Sequence, residues 1–183
     1  MMYDTLVVNL IGGPGLLKSA LAAHAFAELK YLGIEAELVL EPAKEHVWEG
    51  TLTKLENKVV LLGEQVKRID RCHRQVQVIV TDGPIIDCAY YKPEHYSENY
   101  VNFVIEQFRR YRNLNFLVKR IEGGPYSSNG RTQINVEKAK IVDPKALEVL
   151  KRFDIPYEEI EASRKSIDFI VEKILEELET IKT

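Results

Sequence analysis

Residues 6–21 read LVVNLIGGPGLLKSAL, and this stretch decides the predicted fold. An apolar run from Leu6 to Ile11, typical of a buried strand, passes through a glycine-proline turn into a helix with Lys18 and Ser19 in its first turn. A glycine-rich loop between a strand and a helix forms a concave nest of backbone N–H groups that suits a phosphate. We expect Lys18 to reach the β- and γ-phosphates of a nucleotide and the Ser19 hydroxyl to bind Mg²⁺.

One position departs from the phosphate-loop pattern G-x-x-x-x-G-K-[ST]. Leu17 stands where the pattern has its last glycine, and its Cβ is expected to point toward the phosphates, with Leu16 beside it adding bulk. The alternative interpretation is a tight strand-to-helix turn whose lysine is merely solvated. The residues predicted to bind the nucleotide are Gly12, Gly13, Pro14, Gly15, Leu16, Leu17, Lys18 and Ser19.

Composition predicts a single domain spanning residues 1–183, with 45% hydrophobic and 29% charged residues. The net charge of −3 argues against a generally basic nucleic-acid binder but leaves room for a local basic cleft. Cys72 and Cys88 show no disulfide framework or metal-ligand spacing, so we expect a reducing cytoplasm, or the host cytoplasm if the protein is phage-encoded. No apolar run approaches the ~20 residues of a membrane span, so we expect no membrane association.

Two acidic residues follow predicted strands. Glu41 comes after the strand that begins at Ala36, and Asp82 comes after the strand predicted from Val76 to Thr81. Ligands bind at the carboxyl ends of strands in open α/β sheets, so both acids should face the same crevice as the phosphate loop. Asp82 is expected to hold the Mg²⁺ hydration shell or to act on the acceptor hydroxyl. The alternative is that Asp82 simply begins an Asp-Gly turn.

A long helix is predicted over residues 51–74, and its C-terminal half carries Gln65, Arg68 and Arg71 at spacings that place them on a common side. These three residues are candidates to line a substrate pocket. A solvated charged face is the alternative interpretation.

Two further stretches carry functional hypotheses. The tyrosines around Pro93, together with the run RRYR at 109–112, have the composition of a surface that stacks and neutralises a nucleotide or single-stranded nucleic acid, although half-buried packing is the alternative. After a strand predicted from Asn115 to Ile121, residues 122–135 are rich in Gly, Pro, Ser and Asn. With Arg120 and Arg131 at this segment, it is predicted to be a short lid that brings cations over a triphosphate.

The whole pattern is five strands alternating with helices, including a helix from about residue 136 that is interrupted or bent near Pro144. It predicts an α/β protein, a three-layer P-loop NTPase sandwich with a five-stranded parallel sheet, helices on both faces and a short lid. The chain resembles the small P-loop kinases of the nucleoside and nucleotide kinase group, and more closely the phage-type kinases that include the 5-hydroxymethyluracil DNA kinases. The resemblance rests on LIGGPGLLKSA, VLEPAKEHVWEG, GEQVKRIDR, VIVTDGP and SSNGRTQ.

The resemblance implies roles for particular residues. Glu41-Pro42 with Trp48 looks like the motif of deoxynucleoside kinases in which the glutamate is the general base, and Gln65 is the nearest match to the glutamine that reads the base. Asp82 looks like the acid that follows the third strand. Arg120 and Arg131 look like lid arginines. The loop pattern, the helix spacing and this resemblance together give two sets of expected site residues. The expected catalytic residues are Lys18, Glu41, Asp82, Arg120 and Arg131, and the expected substrate contacts are Glu41, Trp48, Gln65, Arg68 and Arg71.

The leading functional hypothesis is an ATP-dependent phosphotransferase that uses Mg²⁺ and transfers the γ-phosphate to a hydroxyl of a pyrimidine nucleoside unit. The acceptor could be the 5-hydroxymethyluracil base in phage DNA, or a free deoxynucleoside or deoxynucleotide. A second hypothesis is a catalytically degenerate phosphate-loop protein that acts as a binding module, motivated by Leu17. An ATPase that drives a partner ranks last.

Overall fold

A computed structural model describes residues 2–124, 126–127, 129, 132 and 135–181. Five strands form one parallel sheet in the order β2-β3-β1-β4-β5. The strands are β1 (Leu6–Ile11), β2 (Ala36–Val39), β3 (Val78–Thr81), β4 (Arg112–Lys119) and β5 (Glu158–Glu161). The helices are α1 (Lys18–Tyr31), α2 (Pro42–Trp48), α3 (Leu52–Glu56), α4 (Lys58–Cys72), α5 (Asp87–Tyr90), α6 (Glu98–Phe108), α7 (Val136–Lys140), α8 (Asp143–Arg152) and α9 (Ser166–Ile181).

Helices cover both faces of the sheet, which gives the predicted three-layer sandwich. Strand β1 is buried along its whole length, and its side chains alternate between the two cores. Val7 and Ile11 pack with α4, α5, α6 and α8, whereas Leu6, Val8 and Leu10 pack with α1 and α9. A parallel sheet buried on both sides requires this near-continuous apolar strand pattern. The predicted α/β fold is therefore confirmed.

The structure divides the predicted long helix at 51–74 into α3 and α4, and it adds α2 before them. Asn57 separates α3 from α4 because its backbone leaves the helical region, and its side chain accepts a hydrogen bond from the Val60 N–H. The asparagine thus caps the new helix. The predicted interruption near Pro144 is confirmed, since α7 ends at Lys140 and α8 begins at Asp143 with proline in its first turn.

Strand β4 begins at Arg112, three residues earlier than predicted, and Arg112 pairs in register with Leu6 at the start of β1. The run RRYR at 109–112 therefore lies at the amino edge of the sheet, whereas the phosphate loop follows the carboxyl end of β1. The two regions are at opposite ends of parallel strands. Among the described residues, no helix is both long enough and apolar enough to cross a membrane.

Candidate active site

The phosphate loop has three residues with positive φ, and two of them are glycines. Gly12 has φ 145° and Gly15 has φ 78°, a region in which a side chain would be strained. A Cβ on Gly12 would also lie 2.7 Å from Leu16 Cδ1. The third residue is Leu17, with φ 54° and ψ 16°, and it is the residue that precedes the first turn of α1. A leucine thus adopts the left-handed conformation at the position where the pattern has glycine, at a cost of about 1–2 kcal/mol.

Leu16 and Leu17 have different environments, which corrects the expectation that both crowd the phosphates. Leu16 is 1% exposed and packs in the core between the sheet and α1. Its side chain holds the loop down on the core. Leu17 is 41% exposed, so its side chain stands outside the core, where it lines the cavities on both sides of the loop.

Two cations hold the carbonyl groups of the loop. Lys18 Nζ donates to the carbonyl oxygens of Gly12 at 2.5 Å and Gly13 at 3.0 Å. Arg120 Nη2 donates to the Pro14 carbonyl at 2.9 Å. Three consecutive carbonyls of the loop are therefore satisfied by side chains from α1 and from the end of β4. These hydrogen bonds fix the conformation of the loop.

Arg120 is bound on its other side by Asp143, the first residue of α8. Its Nε donates to Asp143 Oδ2 at 2.9 Å, and its Nη2 donates to Oδ1 at 3.0 Å. A Cβ on Gly13 would lie 2.1 Å from Asp143 Oδ1, so only glycine permits this close approach. The bidentate geometry fixes the guanidinium. Arg120 thus clamps the loop to α8, which differs from the role of a mobile lid arginine, and Arg131 lies outside the described residues.

Glu41 and Asp82 meet at the carboxyl ends of neighbouring strands, as the sequence predicts. The Glu41 backbone N–H donates to Asp82 Oδ1 at 2.9 Å. Gly83 makes this contact possible, because a Cβ there would lie 2.2 Å from Glu41 Cβ. Asp82 is 3% exposed, and both acids line the same cleft as Lys18 and Ser19.

A third acid in this cleft was not predicted. Asp87 is 8% exposed, accepts a hydrogen bond from the Tyr90 hydroxyl at 2.5 Å, and lines the cleft beside Asp82. Burial raises the pKa of Asp87 to about 8, although the positive charge of Lys18 opposes the shift. The Tyr90 hydroxyl also lies 3.4 Å from both the backbone nitrogen and the carbonyl oxygen of Gly12. A hydrogen-bonded chain thus connects the acidic cleft with the first residue of the phosphate loop.

Gln65 lines the same cleft from α4 and is 2% exposed. Its Nε2 donates to Thr81 Oγ1 at 3.2 Å, whereas its Oε1 is buried without a hydrogen-bond partner among the described residues. A buried acceptor with no donor is unfavourable by about 1–3 kcal/mol. The amide oxygen is therefore suited to a donor on a ligand.

The other predicted substrate contacts lie outside the residues that line this cleft. Arg68 forms a bidentate ion pair with Glu45 of α2 and donates to the Leu40 carbonyl at 3.1 Å. Arg71 is exposed, and Trp48 is 65% exposed at the end of α2. The structure brings together Lys18, Ser19, Glu41, Asp82 and Gln65, but it does not bring Arg68, Arg71 or Trp48 to them.

A second cavity lies on the other side of the loop. It has a volume of about 640 Å³ and shares Gly15, Leu16 and Leu17 with the acidic cleft. Its wall includes Arg120, which follows β4, Asp143, the first residue of α8, and Ala162, which follows β5. The volume is within the range of small-molecule sites. The phosphate loop therefore separates two cavities at the carboxyl edge of the sheet.

The run at 109–112, which is predicted to be part of a nucleic-acid surface, makes contacts within the protein. Arg109 donates to the Phe153 carbonyl at 2.7 Å, and Arg110 and the Tyr111 hydroxyl both contact Asp70. Arg112 pairs with Glu177 of α9 at 2.7 Å. Each side chain thus joins neighbouring elements at the edge remote from the cleft, and nucleic-acid binding at this run stays a prediction.

Sequence reasoning missed Asp87, Asp143 and Lys58, and it considered Tyr90 only as one of the tyrosines of a possible nucleotide or nucleic-acid surface. Asp87 and Lys58 both line the acidic cleft. Asp87 follows β3 by six residues, and that spacing was its only signal. Asp143 carried a weak signal as the residue before Pro144 at a helix start. The sequence carried no signal for Lys58, because the pattern predicted one continuous helix across the boundary between α3 and α4.

Comparisons with known proteins bear on this arrangement. A crystal structure of thymidylate kinase from Ehrlichia chaffeensis matches with a TM-score of 0.64, covering 97% of this chain and 100% of that chain, at 12% sequence identity. The chain therefore has the same fold as this thymidylate kinase structure. No protein-family model and no curated protein matches the chain. At this low identity the similarity shows the fold alone, so a function for this chain can be inferred only from the residues of the cleft.

Proposed function

We propose that this protein transfers the γ-phosphoryl group of ATP to a pyrimidine nucleoside unit. The observation that supports the proposal best is the shared cleft, which is lined by the loop lysine Lys18 and by carboxylates from two strand ends. The amide oxygen of Gln65, which has no hydrogen-bond partner among the described residues, lies in the same wall. Phosphoryl transfer requires mainly positioning and charge stabilisation. Lys18 would stabilise the charge on the phosphates, and the carboxylates and the Gln65 amide would position the acceptor.

The two cavities suggest how the donor lies. They share Gly15, Leu16 and Leu17, so a triphosphate that crosses the loop would connect them. We place the donor nucleoside in the cavity walled by Arg120 and Ala162, and the transferred phosphoryl group in the acidic cleft. Lys18 would then exchange the carbonyls of Gly12 and Gly13 for phosphate oxygens.

The residues at the loop also fit Mg²⁺. Ser19 and Asp82 present a hydroxyl and a carboxylate in the same cleft, and hard oxygen ligands of this kind suit the ion. No cluster of three His, Cys, Asp or Glu side chains that could hold a metal occurs in the part of the chain described here. Ser19 and Asp82 would therefore hold Mg²⁺ together with the phosphates and water. When bound, the ion would neutralise developing charge on the phosphates.

Among the acids, we assign proton acceptance to Glu41. Asp82 is oriented by the Glu41 N–H, which suits a metal ligand, and the raised pKa of Asp87 keeps that carboxyl largely neutral at pH 7. Glu41 lies at the end of β2 and lines the cleft. A carboxylate within reach of an acceptor hydroxyl can take its proton during transfer.

Gln65 supports a pyrimidine acceptor. Within the part of the chain that the structure describes, its Oε1 accepts from no donor, and the N3–H of uracil or thymine is a donor of the required kind. The 5-hydroxymethyl group of a modified uracil in DNA remains the narrower hypothesis for the acceptor hydroxyl. Such a base would have to be single-stranded or flipped out to enter the cleft.

A transfer screen tests the proposal. The protein is incubated with Mg²⁺ and ATP labelled in the γ-phosphate, and label is followed into pyrimidine nucleosides, their monophosphates and single-stranded DNA containing 5-hydroxymethyluracil. We expect transfer to one of these acceptors, and loss of transfer in Lys18→Ala. Absence of labelled product from every acceptor at millimolar ATP would contradict the proposal.

Leu17 favours one alternative function. A leucine in the left-handed conformation before Lys18 is compatible with a phosphate-loop fold that binds a ligand without turnover. This alternative predicts no transfer to any acceptor in the screen and no gain in ligand affinity from Mg²⁺.

A further inference from the structure

Lys58 is a cation in the acidic cleft that the proposed reaction does not use. It is the first residue of α4 and is partly buried in the cleft wall. Its backbone is held on both sides, since its N–H donates to the Tyr96 hydroxyl at 3.0 Å and its carbonyl accepts from the Tyr100 hydroxyl at 3.1 Å. Tyr96, two residues before α6, and Tyr100, in its first turn, therefore fix the backbone of Lys58.

The ammonium of Lys58 has no carboxylate within ion-pair distance in the part of the chain that the structure describes. The ammonium interacts with the Cys88 thiol, whose pKa burial raises to about 12, and the Tyr100 hydroxyl, whose pKa burial also raises, is a hydrogen-bond partner of that thiol. Both groups are neutral at pH 7. Burial also lowers the pKa of Lys58 itself. An unpaired and partly desolvated charge is unfavourable, and an anionic ligand would offset that cost.

The position of Lys58 relative to Gln65 suggests which part of a ligand it meets. Lys58, Leu61 and Gln65 are spaced i, i+3 and i+7 on α4, so they share one face, and all three line the cleft. Seven residues of helix separate the lysine from the glutamine by about 10 Å. A free base at Gln65 would not span this separation, whereas a nucleotide carries a phosphate away from its base.

We propose that Lys58 binds a phosphate group of the acceptor, so that the acceptor is a pyrimidine nucleotide and not an unphosphorylated nucleoside. This inference rests on the proposed function, because it uses the cleft as an acceptor site. The phosphate could be a 5′-monophosphate or the 3′-phosphate of a nucleotide within a strand. Both sources present anionic phosphate oxygens to the ammonium, a monophosphate mainly as a dianion near pH 7 and a phosphodiester within a strand as a monoanion.

Calorimetric binding tests the inference without turnover. Thymidine, thymidine 5′-monophosphate and thymidine 3′-monophosphate are titrated into the protein and into Lys58→Gln, Lys58→Arg and Lys54→Gln. Lys54 is an exposed lysine of α3 outside the cleft wall and serves as the matched control. A charge-assisted hydrogen bond is worth about 1.5–3 kcal/mol, which corresponds to roughly 10- to 150-fold in affinity.

We expect the unmodified protein to bind one monophosphate at least about ten-fold more tightly than thymidine, which identifies the 5′- or the 3′-phosphate as the group bound. Lys58→Gln should lose this preference, whereas Lys58→Arg and Lys54→Gln should retain it. Equal affinity for thymidine and both monophosphates, or an unchanged preference in Lys58→Gln, would overturn the inference. A preference that depends on Lys58 without any transfer in the screen would refute the phosphotransferase activity and keep the phosphate site.

Discussion

Asp87 provides a stringent test of the cleft's electrostatics, because burial raises its pKa to about 8. In an unfolded chain the pKa of an aspartate is about 3.9. Between these two values the folded protein holds a proton that the unfolded chain has released. The free energy of unfolding therefore falls as the pH rises through this window, so the contribution of Asp87 is most favourable in acid and is lost toward pH 8.

The size of the effect follows from the shift. One proton corresponds to about 1.36 kcal/mol per pH unit, so over about four units Asp87 lowers the free energy of unfolding by up to about 5 kcal/mol. Asp87→Asn should remove this cost, because the amide can still accept the hydrogen bond from Tyr90 but cannot ionise. Relative to the unmodified protein, the variant should gain about 1.4 kcal/mol per pH unit between pH 4 and pH 8.

Urea unfolding followed by circular dichroism at several pH values measures this difference directly. Glu94→Gln, at an exposed carboxyl of the segment before α6, is the control and should leave the pH profile unchanged. Parallel profiles for the unmodified protein and Asp87→Asn would refute the assignment of Asp87 as a neutral buried acid. A fall in the stability of Asp87→Asn relative to the unmodified protein as the pH rises would refute it equally.

Three further experiments with substituted proteins have defined outcomes. Leu17→Gly should change the free energy of unfolding by less than about 1 kcal/mol, because relief of left-handed strain opposes the entropy of glycine, and calorimetry should show tighter binding of Mg²⁺-ATP; weaker binding would contradict this. Arg120→Met and Asp143→Asn should each destabilise the protein by about 2–3 kcal/mol, and a double-mutant cycle in urea should give a coupling of at least about 1 kcal/mol. Arg109→Gln with Arg110→Gln should leave phosphoryl transfer and acceptor affinity unchanged, and a large loss in either assay would return these residues to the binding surface.

The phosphate loop and the two strand-end acids could be predicted because their signals are local. A β-branched or apolar run ends, and a glycine or an acid follows immediately, so position along the strand determines position at the sheet edge. Glu41 and Asp82 meet for this reason, although their hydrogen bond also needs Gly83 at a close approach. The fold followed from the same alternation of strands and helices.

Other parts of the site depend on tertiary packing, which the sequence pattern does not contain. Leu16 and Leu17 are neighbours with the same side chain, yet one enters the core and the other stays exposed, because the left-handed backbone at Leu17 separates their directions. Arg68 was predicted to face a substrate, but α2 brings Glu45 to it. Asp87 is perturbed by burial, which a single carboxyl in a sequence does not reveal.

The arginine run at 109–112 shows how a small error in strand boundary changes a functional hypothesis. A predicted start at Asn115 left Arg112 outside the sheet, whereas the structure pairs Arg112 with Leu6 at the first position of β1. That register places the run at the amino edge of the sheet, at the opposite end from the phosphate loop. Strand type was predictable, but its first residue was not.

Calorimetric titration with Mg²⁺-ATP tests the central claim most directly, because phosphoryl transfer at this cleft requires that a loop with Leu17 accept a triphosphate. We expect binding in the micromolar range for the unmodified protein and a large loss of affinity in Lys18→Ala. The absence of binding at millimolar ATP, or equal binding by the protein and Lys18→Ala, would contradict it.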